Sequence, residues 1–374
     1  MKSNSIDTFF LLTRAGLYGC TEGIEDFMPE RVDWAEVYQL AKEQKELGLV
    51  ADGIETIRAE WLKTHDTLSI PRQWVVEFAH TSLRLEQRNQ NMNRFIEQLF
   101  GRLQKNGIHA LLLKGQGVAQ CYQNPFRRAI GDVDLLLSEE DYWKAKDYLR
   151  QFASSSKEGK EYKKECAVVI ANWKVEMHGS LRCGFSSRLD REFDKVYRNT
   201  FKGGSGRSWK NGEVQVPLLR KEDDVLYVFV HFLNHFYKGG VGVRQICDWS
   251  RLLWTFWDSL DLSLLEARLK KMKLMTAWKA FGMFAVEYLG MPKEAMPFYR
   301  EEEKWKRKAQ RICAFILMTG NMGSNRKVKA DSVLSKKIVL SRQRFRDLAN
   351  HFTIFPLDSL RFFPSILRNG LRLK

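Results

Sequence analysis

Between residues 107 and 218 the apolar residues of this chain stop recurring every three to four positions and gather into short continuous runs. That switch of period limits the fold more than any other feature, because a helix and a buried strand demand different spacings. Ile108 to Leu113 form one run, which stops at Lys114-Gly115. Val133, Leu135, Leu136 and Leu137 form a second, headed by Asp132. A helix is predicted from about Glu139 to Phe152, a third strand over Cys166 to Ala171, and a fourth over Trp173 to His178, with Asn172 near the turn. Asn211-Gly212 inside Trp209 to Val214 marks a hairpin, since Asn-Gly supplies the positive φ angles of a two-residue turn.

Helical spacing holds on both sides. Pro29 and Asp33 mark the start of a helix over Trp34 to Ala41, and Ser69-Ile70-Pro71 precedes a long one through Val75, Phe78, Leu83, Leu85 and Ile96 to Leu103, ended by Gly107. Amphipathic segments return near 222–238, 242–257, 262–272, 274–290 and 302–319. The fold class is therefore α+β, a small mixed-sheet core flanked by helical regions. Four regions are expected: a helical 1–106, an α/β core at 107–218, a helical domain at 219–323, and a basic amphipathic tail at 324–374, opening on a polar connector from Ser324 to Asp331.

Charge narrows the chemistry. The 374 residues carry 61 Lys and Arg against 45 Asp and Glu, a net +16, with 44% hydrophobic residues. That composition excludes a disordered chain, a collagen-like chain and a disulfide miniprotein, and it points to polyanionic partners. The charge is uneven: residues 1–100 hold 11 basic and 16 acidic groups, while residues 324–374 hold 12 basic and 3 acidic. Six cysteines, at 20, 121, 166, 183, 247 and 313, form no CxxC pair, which disfavours a zinc ribbon and suits reduced thiols in a cytoplasm. The run Phe9 to Leu12 is too short for a signal-peptide core. No run approaches the roughly 18 residues of a membrane span, and Leu226 to Leu233 is broken by His231. A cytoplasmic protein is expected, with a peripheral membrane contact through the tail as an alternative.

The chemistry-bearing residues lie in the middle unit. Asp132 and Asp134 are one residue apart on a predicted strand, so period-two geometry puts both carboxylates on one face and Val133 on the other. Carboxylates held that close repel unless a cation lies between them, and Mg²⁺ takes one or two carboxylates together with phosphate oxygens. Taken alone, an Asp-x-Asp at a strand end also suits a turn or a solvated edge. Two companions add to it. Lys114-Gly115-Gln116-Gly117 forms a strand-to-helix turn at which backbone N–H groups approach an anion. Glu176 and His178 share one face of the fourth strand, where Glu176 would complete a three-carboxylate site.

The order strand, Gly turn, helix, strand with Asp-x-Asp, helix, two strands and third acid resembles the nucleotidyltransferase fold of the DNA polymerase beta superfamily. Within it, Leu111-Leu112-Leu113-Lys114-Gly115, then Tyr122, Pro125 and Arg128, then Gly131-Asp132-Val133-Asp134-Leu135-Leu136 resemble the bacterial group described only as nucleotidyltransferase family proteins. Glu176-Met177-His178 is similar to that group's third-acid block, residues 34–52 to its N-terminal helical block, and His231, His235, Arg244, Asp248 and Leu252 to a later helical block. The resemblance touches most of residues 10–255 and thins beyond about 290.

It implies transfer of an NMP from an NTP to an acceptor hydroxyl, with release of pyrophosphate. Mg²⁺ or Mn²⁺ would be held by Asp132, Asp134 and Glu176, which are also the catalytic carboxylates. Lys114, Gly115, Gln116, Arg128 and His178 would bind the nucleotide, and His231, His235 and Arg244 rank second as substrate contacts. Two departures stand out: Gln116 replaces the superfamily's usual Ser, and Glu176 its usual third Asp. The first departure also suits a catalytically inactive nucleotide-binding regulator. Small molecules, glycans and proteins rank ahead of RNA as acceptors, since no RNA-binding module is recognisable. His231 and His235 also read as hydrogen-bonded neighbours on a helix, and Arg244 with Asp248 as a helix ion pair. In the tail, Arg342, Arg344, Arg346, Arg361, Arg368 and Arg372 interleave with Phe345, Phe352, Phe355, Phe362, Phe363, Ile366 and Leu371, a pattern that fits either an anionic lipid surface or a docked terminal helix.

Overall fold

The computed structural model describes residues 2–159, 164–203, 206–325 and 333–371. In chain order the helices are α1 (Lys2–Tyr18), α2 (Trp34–Gln44), α3 (Leu47–Trp61), α4 (Arg72–Lys105), α5 (Gly115–Ala119), α6 (Glu139–Arg150), α7 (Ser187–Phe201), α8 (Lys221–Lys238), α9 (Val243–Phe256), α10 (Leu262–Met272), α11 (Met275–Glu287), α12 (Glu303–Thr319), α13 (Val333–Ile354) and α14 (Pro356–Leu371). The strands are β1 (Ala110–Leu113), β2 (Val133–Leu137), β3 (Ser155–Glu158), β4 (Glu165–Ile170), β5 (Trp173–His178), β6 (Arg207–Asn211) and β7 (Val214–Leu218). Two units result: residues 84–228 with 260–272, and residues 1–83 with 229–259 and 273–374.

The first of these holds a mixed seven-stranded sheet in the order β3-β4-β5-β2-β1-β7-β6. β2 runs parallel to β5 and β1 parallel to β7, while the remaining neighbours are antiparallel. Its register follows from burial. Val133, Leu135 and Leu137 of β2 join Val175 and Met177 of β5 in one core with Ile96, Leu99, Phe100 and Leu103 of α4 and with Tyr142, Ala145 and Leu149 of α6. Each large apolar side chain buried this way is worth about 1.5–3 kcal/mol. A one-residue slip of β2 would turn Asp134 into that core, so the pattern pins the strand.

Local signals agree with the boundaries. Asp33 caps α2 by accepting from the Ala35 and Glu36 N–H groups. α4 ends where Ile108 N–H returns to the Leu103 carbonyl at 3.0 Å and Gly107 takes φ +65°, a conformation glycine adopts without strain. The β4–β5 turn uses Ala171 and Asn172, both at positive φ, as a two-residue hairpin requires. The second hairpin turns on Gly212-Glu213, one residue later than Asn211-Gly212 suggests.

Two elements escaped the sequence pattern. β3 is fully exposed and holds no large apolar residue, so neither period nor hydrophobicity marks it. α7 buries only Leu189, Phe193 and Val196 in an otherwise charged helix.

The other unit is helical. α1 crosses α3 at backbone contact: a Cβ on Gly16 would lie 2.1 Å from the Leu49 carbonyl oxygen, and one on Gly53 would lie 1.9 Å from that of Leu12. Its centre is aromatic. Phe229, Phe232, Trp249, Trp278 and Phe281 pack with ring centroids 4.8–6.3 Å apart. The tail lies against this layer through Phe355 and Phe362, which meet Phe236 and Tyr237 at 6.1 and 5.3 Å. Residues 326–331 of the expected connector, and Arg372, lie outside the described residues. Among the described residues no helix is long and apolar enough to cross a membrane.

Candidate active site

The sheet gathers residues 114 to 178 by register. β1 pairs Leu113 with Asp134, and β2 pairs Asp134 with Glu176 and Leu136 with His178. Val133, Val175 and Met177 point into the core, so the alternation leaves Asp134, Lys174, Glu176 and His178 on the opposite face. Lys114 follows β1 directly at φ +52°, and Gly115 follows at φ +49°. This sharp turn accompanies the approach of the lysine side chain to Asp134.

Asp134 is the centre of the group. It is 5% exposed, and its Oδ1 lies 3.0 Å from His178 Nε2 and 3.2 Å from Lys114 Nζ. His178 Nε2 is also 3.7 Å from Glu176 Oε2, and its Nδ1 is 4.0 Å from Glu165 Oε1. Burial pushes the Asp134 carboxyl up, but the Lys114 charge and the His178 hydrogen bond outweigh it and hold the group below its ordinary range. Lys114 lies 5.9 Å from the centre of the Tyr227 ring, and burial raises that phenol far above its usual value, which keeps it neutral. Lys174 forms a second focus: its Nζ is 2.8 Å from Asp132 Oδ2 and also donates to Glu176 Oε1. Burial lowers the Lys174 ammonium, and its hydrogen bonds to Asp132 and Glu176 more than compensate, raising it.

Among the described residues, Asp134, Glu176 and His178 form the one group able to hold a metal ion, with one ligand atom from each and all of these within 4.8 Å of one another. Its two carboxylates are the oxygen donors that hard divalent cations take. Asp132 is not in that group; it lies one residue before β2, half exposed and paired with Lys174. A cavity of about 250 Å³ opens beside these side chains, lined by Lys157, Glu158, Glu165, Lys174, Glu176 and His178 among others.

The remaining expected residues are placed as follows. Gln116 is buried and its amide donates to Asn93 Oδ1 of α4 at 2.7 Å. Arg128 is buried and donates to the Ala129 carbonyl, while its own carbonyl accepts from Asn89 Nδ2 at 3.0 Å. Asn89 also donates to the Phe126 carbonyl, so one α4 side chain ties down the 126–128 loop. His231, His235 and Arg244 belong to the helical unit. The two histidines meet Nε2 to Nε2 at 3.1 Å, and Arg244 pairs with Asp248 at 3.6 Å.

Sequence reasoning passed over Lys174, Glu165, Asn89 and Tyr227. Lys174 was readable: it lies two residues before Glu176 on the same strand face. Glu165 was readable once the two-residue turn at Ala171-Asn172 was taken as fixed, because the hairpin then pairs Glu165 with His178. Asn89 and Tyr227 lie on helices, and no local spacing ties them to the site.

Comparison with known proteins identifies a family. The family model of uncharacterised nucleotidyltransferases matches residues 30–290. Curated proteins give no match. Among solved structures, an antigenic nucleotidyltransferase-like protein from Paracoccidioides brasiliensis is similar at 14% identity and a TM-score of 0.28, over 52% of this chain and 91% of that one.

Proposed function

The chain belongs to the uncharacterised nucleotidyltransferase family, and from that premise we propose that it is a Mg²⁺- or Mn²⁺-dependent enzyme moving an NMP from an NTP to an acceptor hydroxyl. The observation that carries the proposal is the convergence of Asp134, Glu176 and His178 within 4.8 Å, beside the Lys114 turn. Asp132, Asp134 and Glu176 would hold the divalent cation, which when bound supplies charge neutralisation at the triphosphate and acidifies a hydroxyl.

The chain's own residues do the rest. Lys114 and Arg128 offset phosphate charge, and the Gly115-Gln116 backbone lets the nucleotide approach. His178 orients Asp134 through its 3.0 Å contact. Glu176 takes the proton of the acceptor hydroxyl. The acceptor oxygen then bonds to the α-phosphorus, the bond to the bridging oxygen breaks, and pyrophosphate leaves. Catalysis of this kind is mostly positioning and charge stabilisation. As acceptor, a small molecule, a glycan or a protein ranks ahead of RNA.

The test is labelling of lysate or purified acceptors with α-³²P-NTPs by the wild type and by Asp132→Ala/Asp134→Ala. Label that requires both carboxylates supports transfer. Equal labelling by the variant, or no labelling with any of the four NTPs, rejects it, and nucleotide binding without pyrophosphate release would favour the inactive regulator.

A second, separate role rests on the tail. α13 and α14 bury Ile354, Phe355 and Phe362 yet leave Phe345, Phe352, Leu357 and Leu360 about half exposed or more, with Arg342, Arg346 and Arg361 also exposed. Apolar groups among arginines fit an anionic bilayer surface. Leu357→Ser/Leu360→Ser is expected to weaken co-sedimentation with phosphatidylglycerol vesicles and to leave the background with phosphatidylcholine alone unchanged; undiminished sedimentation of the variant discards this role.

A further inference from the structure

The site contains a cation of its own. Lys174 projects from β5 on the same face as Glu176, and the parallel register of Val133 with Val175 brings it alongside Asp132. Its Nζ is 2.8 Å from Asp132 Oδ2 and donates to Glu176 Oε1 as well. One ammonium thus ties together a carboxylate just before β2 and one on β5. The other lysine of the site behaves differently: Lys114 is bound to the buried Asp134, with its side chain 16% exposed, whereas that of Lys174 is 47% exposed. Lys174 also lines the cavity beside Glu176, together with Lys157. Its head group therefore borders a solvated space to move into.

We propose that Lys174 is the resident counter-ion of the carboxylate site, and that a divalent cation binds Asp132 and Glu176 only by displacing it. This rests on the nucleotidyl-transfer reading and concerns how the cation of that site is loaded. The physical reason is competition for the same oxygens. Lys174 uses a lone pair of Asp132 and one of Glu176, and a divalent ion seated there would face a positive charge a few ångströms away, where repulsion is strong even in a partly solvated site. Once displaced, the ammonium lies along the cavity wall beside Lys157, where phosphate oxygens would offset both charges. Nucleotide and cation should accordingly assist each other in the wild type.

The experiment is Mn²⁺ titration of the full chain, followed by electron paramagnetic resonance of free Mn²⁺, without nucleotide and with a non-hydrolysable NTP analogue. Lys174→Met is expected to bind Mn²⁺ at least about tenfold more tightly than the wild type without nucleotide, and to gain less from the analogue. Lys174→Arg, which keeps the charge, should stay near the wild type. Asp134→Asn in the Lys174→Met background should remove the tight binding, which assigns the ion to this site. Thermal melts followed by circular dichroism check that each variant is folded. Equal or weaker Mn²⁺ binding by Lys174→Met, with Asp134→Asn still weakening both, overturns the displacement and leaves the metal-dependent reading standing. Absence of Mn²⁺ binding in every protein, with or without nucleotide, overturns both.

Discussion

His231 and His235 are four residues apart and meet at 3.1 Å; Asp134 and His178 are 44 residues apart and meet at 3.0 Å. The distances are nearly equal and the causes are not. The first pair comes from the pitch of one helix, and any two residues so spaced on a helix become neighbours. The second comes from parallel pairing of β2 with β5, which exists only because Val133, Leu135, Val175 and Met177 share a core. Burial also acts differently in the two regions. In the helical unit it drives Cys247 and Tyr237 upward, toward their neutral forms. At the sheet site the Lys114 charge and the His178 hydrogen bond overcome burial and keep Asp134 ionised. A local pair needs little from the rest of the molecule; an ionised buried carboxylate needs partners brought from other elements.

That contrast can be broken by measurement. The largest effect is expected from the sheet site: Asp132→Ala/Asp134→Ala should lower nucleotidyl transfer by about 10³-fold or more, the scale of removing charge stabilisation from a preorganised site. A smaller effect is expected on stability. The folded-state acidity of Asp134 lies below its ordinary value of 3.8, so its stabilising contribution is present above that pH and is lost as pH falls through the depressed value. Asp134→Asn should be less stable than the wild type at pH 7 by on the order of 2 kcal/mol, and the gap should close as acid is added. Urea denaturation at pH 7 and at pH 3 reads this, and a gap that stays constant would mean the carboxylate is not held by Lys114 and His178. The smallest effect is expected from the helix pair. His231→Gln/His235→Gln should change transfer by less than about threefold, with a stability loss of about 1 kcal/mol, typical of one hydrogen bond. A loss of transfer near that of the Asp variants would erase the contrast and make the histidines substrate contacts.

Legibility followed the same division. The helices from α8 to α12 matched their expected segments because a buried helical face writes its period into the sequence. β1, β2 and β4 were legible as apolar runs ended by glycine, charge or a turn, and β5 as an alternation of Trp173, Val175 and Met177 with polar residues. β3 was not, since an exposed strand of Ser155, Ser156, Lys157 and Glu158 is held by pairing with β4 alone. Within the site, Asp132, Asp134, Glu176, Lys114 and His178 stood out by type and spacing, but Lys174, which pairs with Asp132 and Glu176, did not. Gln116 stands where the superfamily's Ser is expected, and no local spacing ties its amide to Asn93 of α4, to which it donates.

What the sequence determined by itself was the inventory: an acid-x-acid at a strand end, a Lys-Gly turn before it, an acid and a histidine on a later strand, and helices on either side. These depend on periods of two and 3.6, which residue order alone supplies. Only the tertiary structure decided the pairing. It separated the two aspartates, giving Asp134 to Lys114 and His178 and leaving Asp132 to Lys174. Pairing across 20, 42 or 44 residues is set by strand order and register, and these are fixed by burial of the opposite face of the sheet.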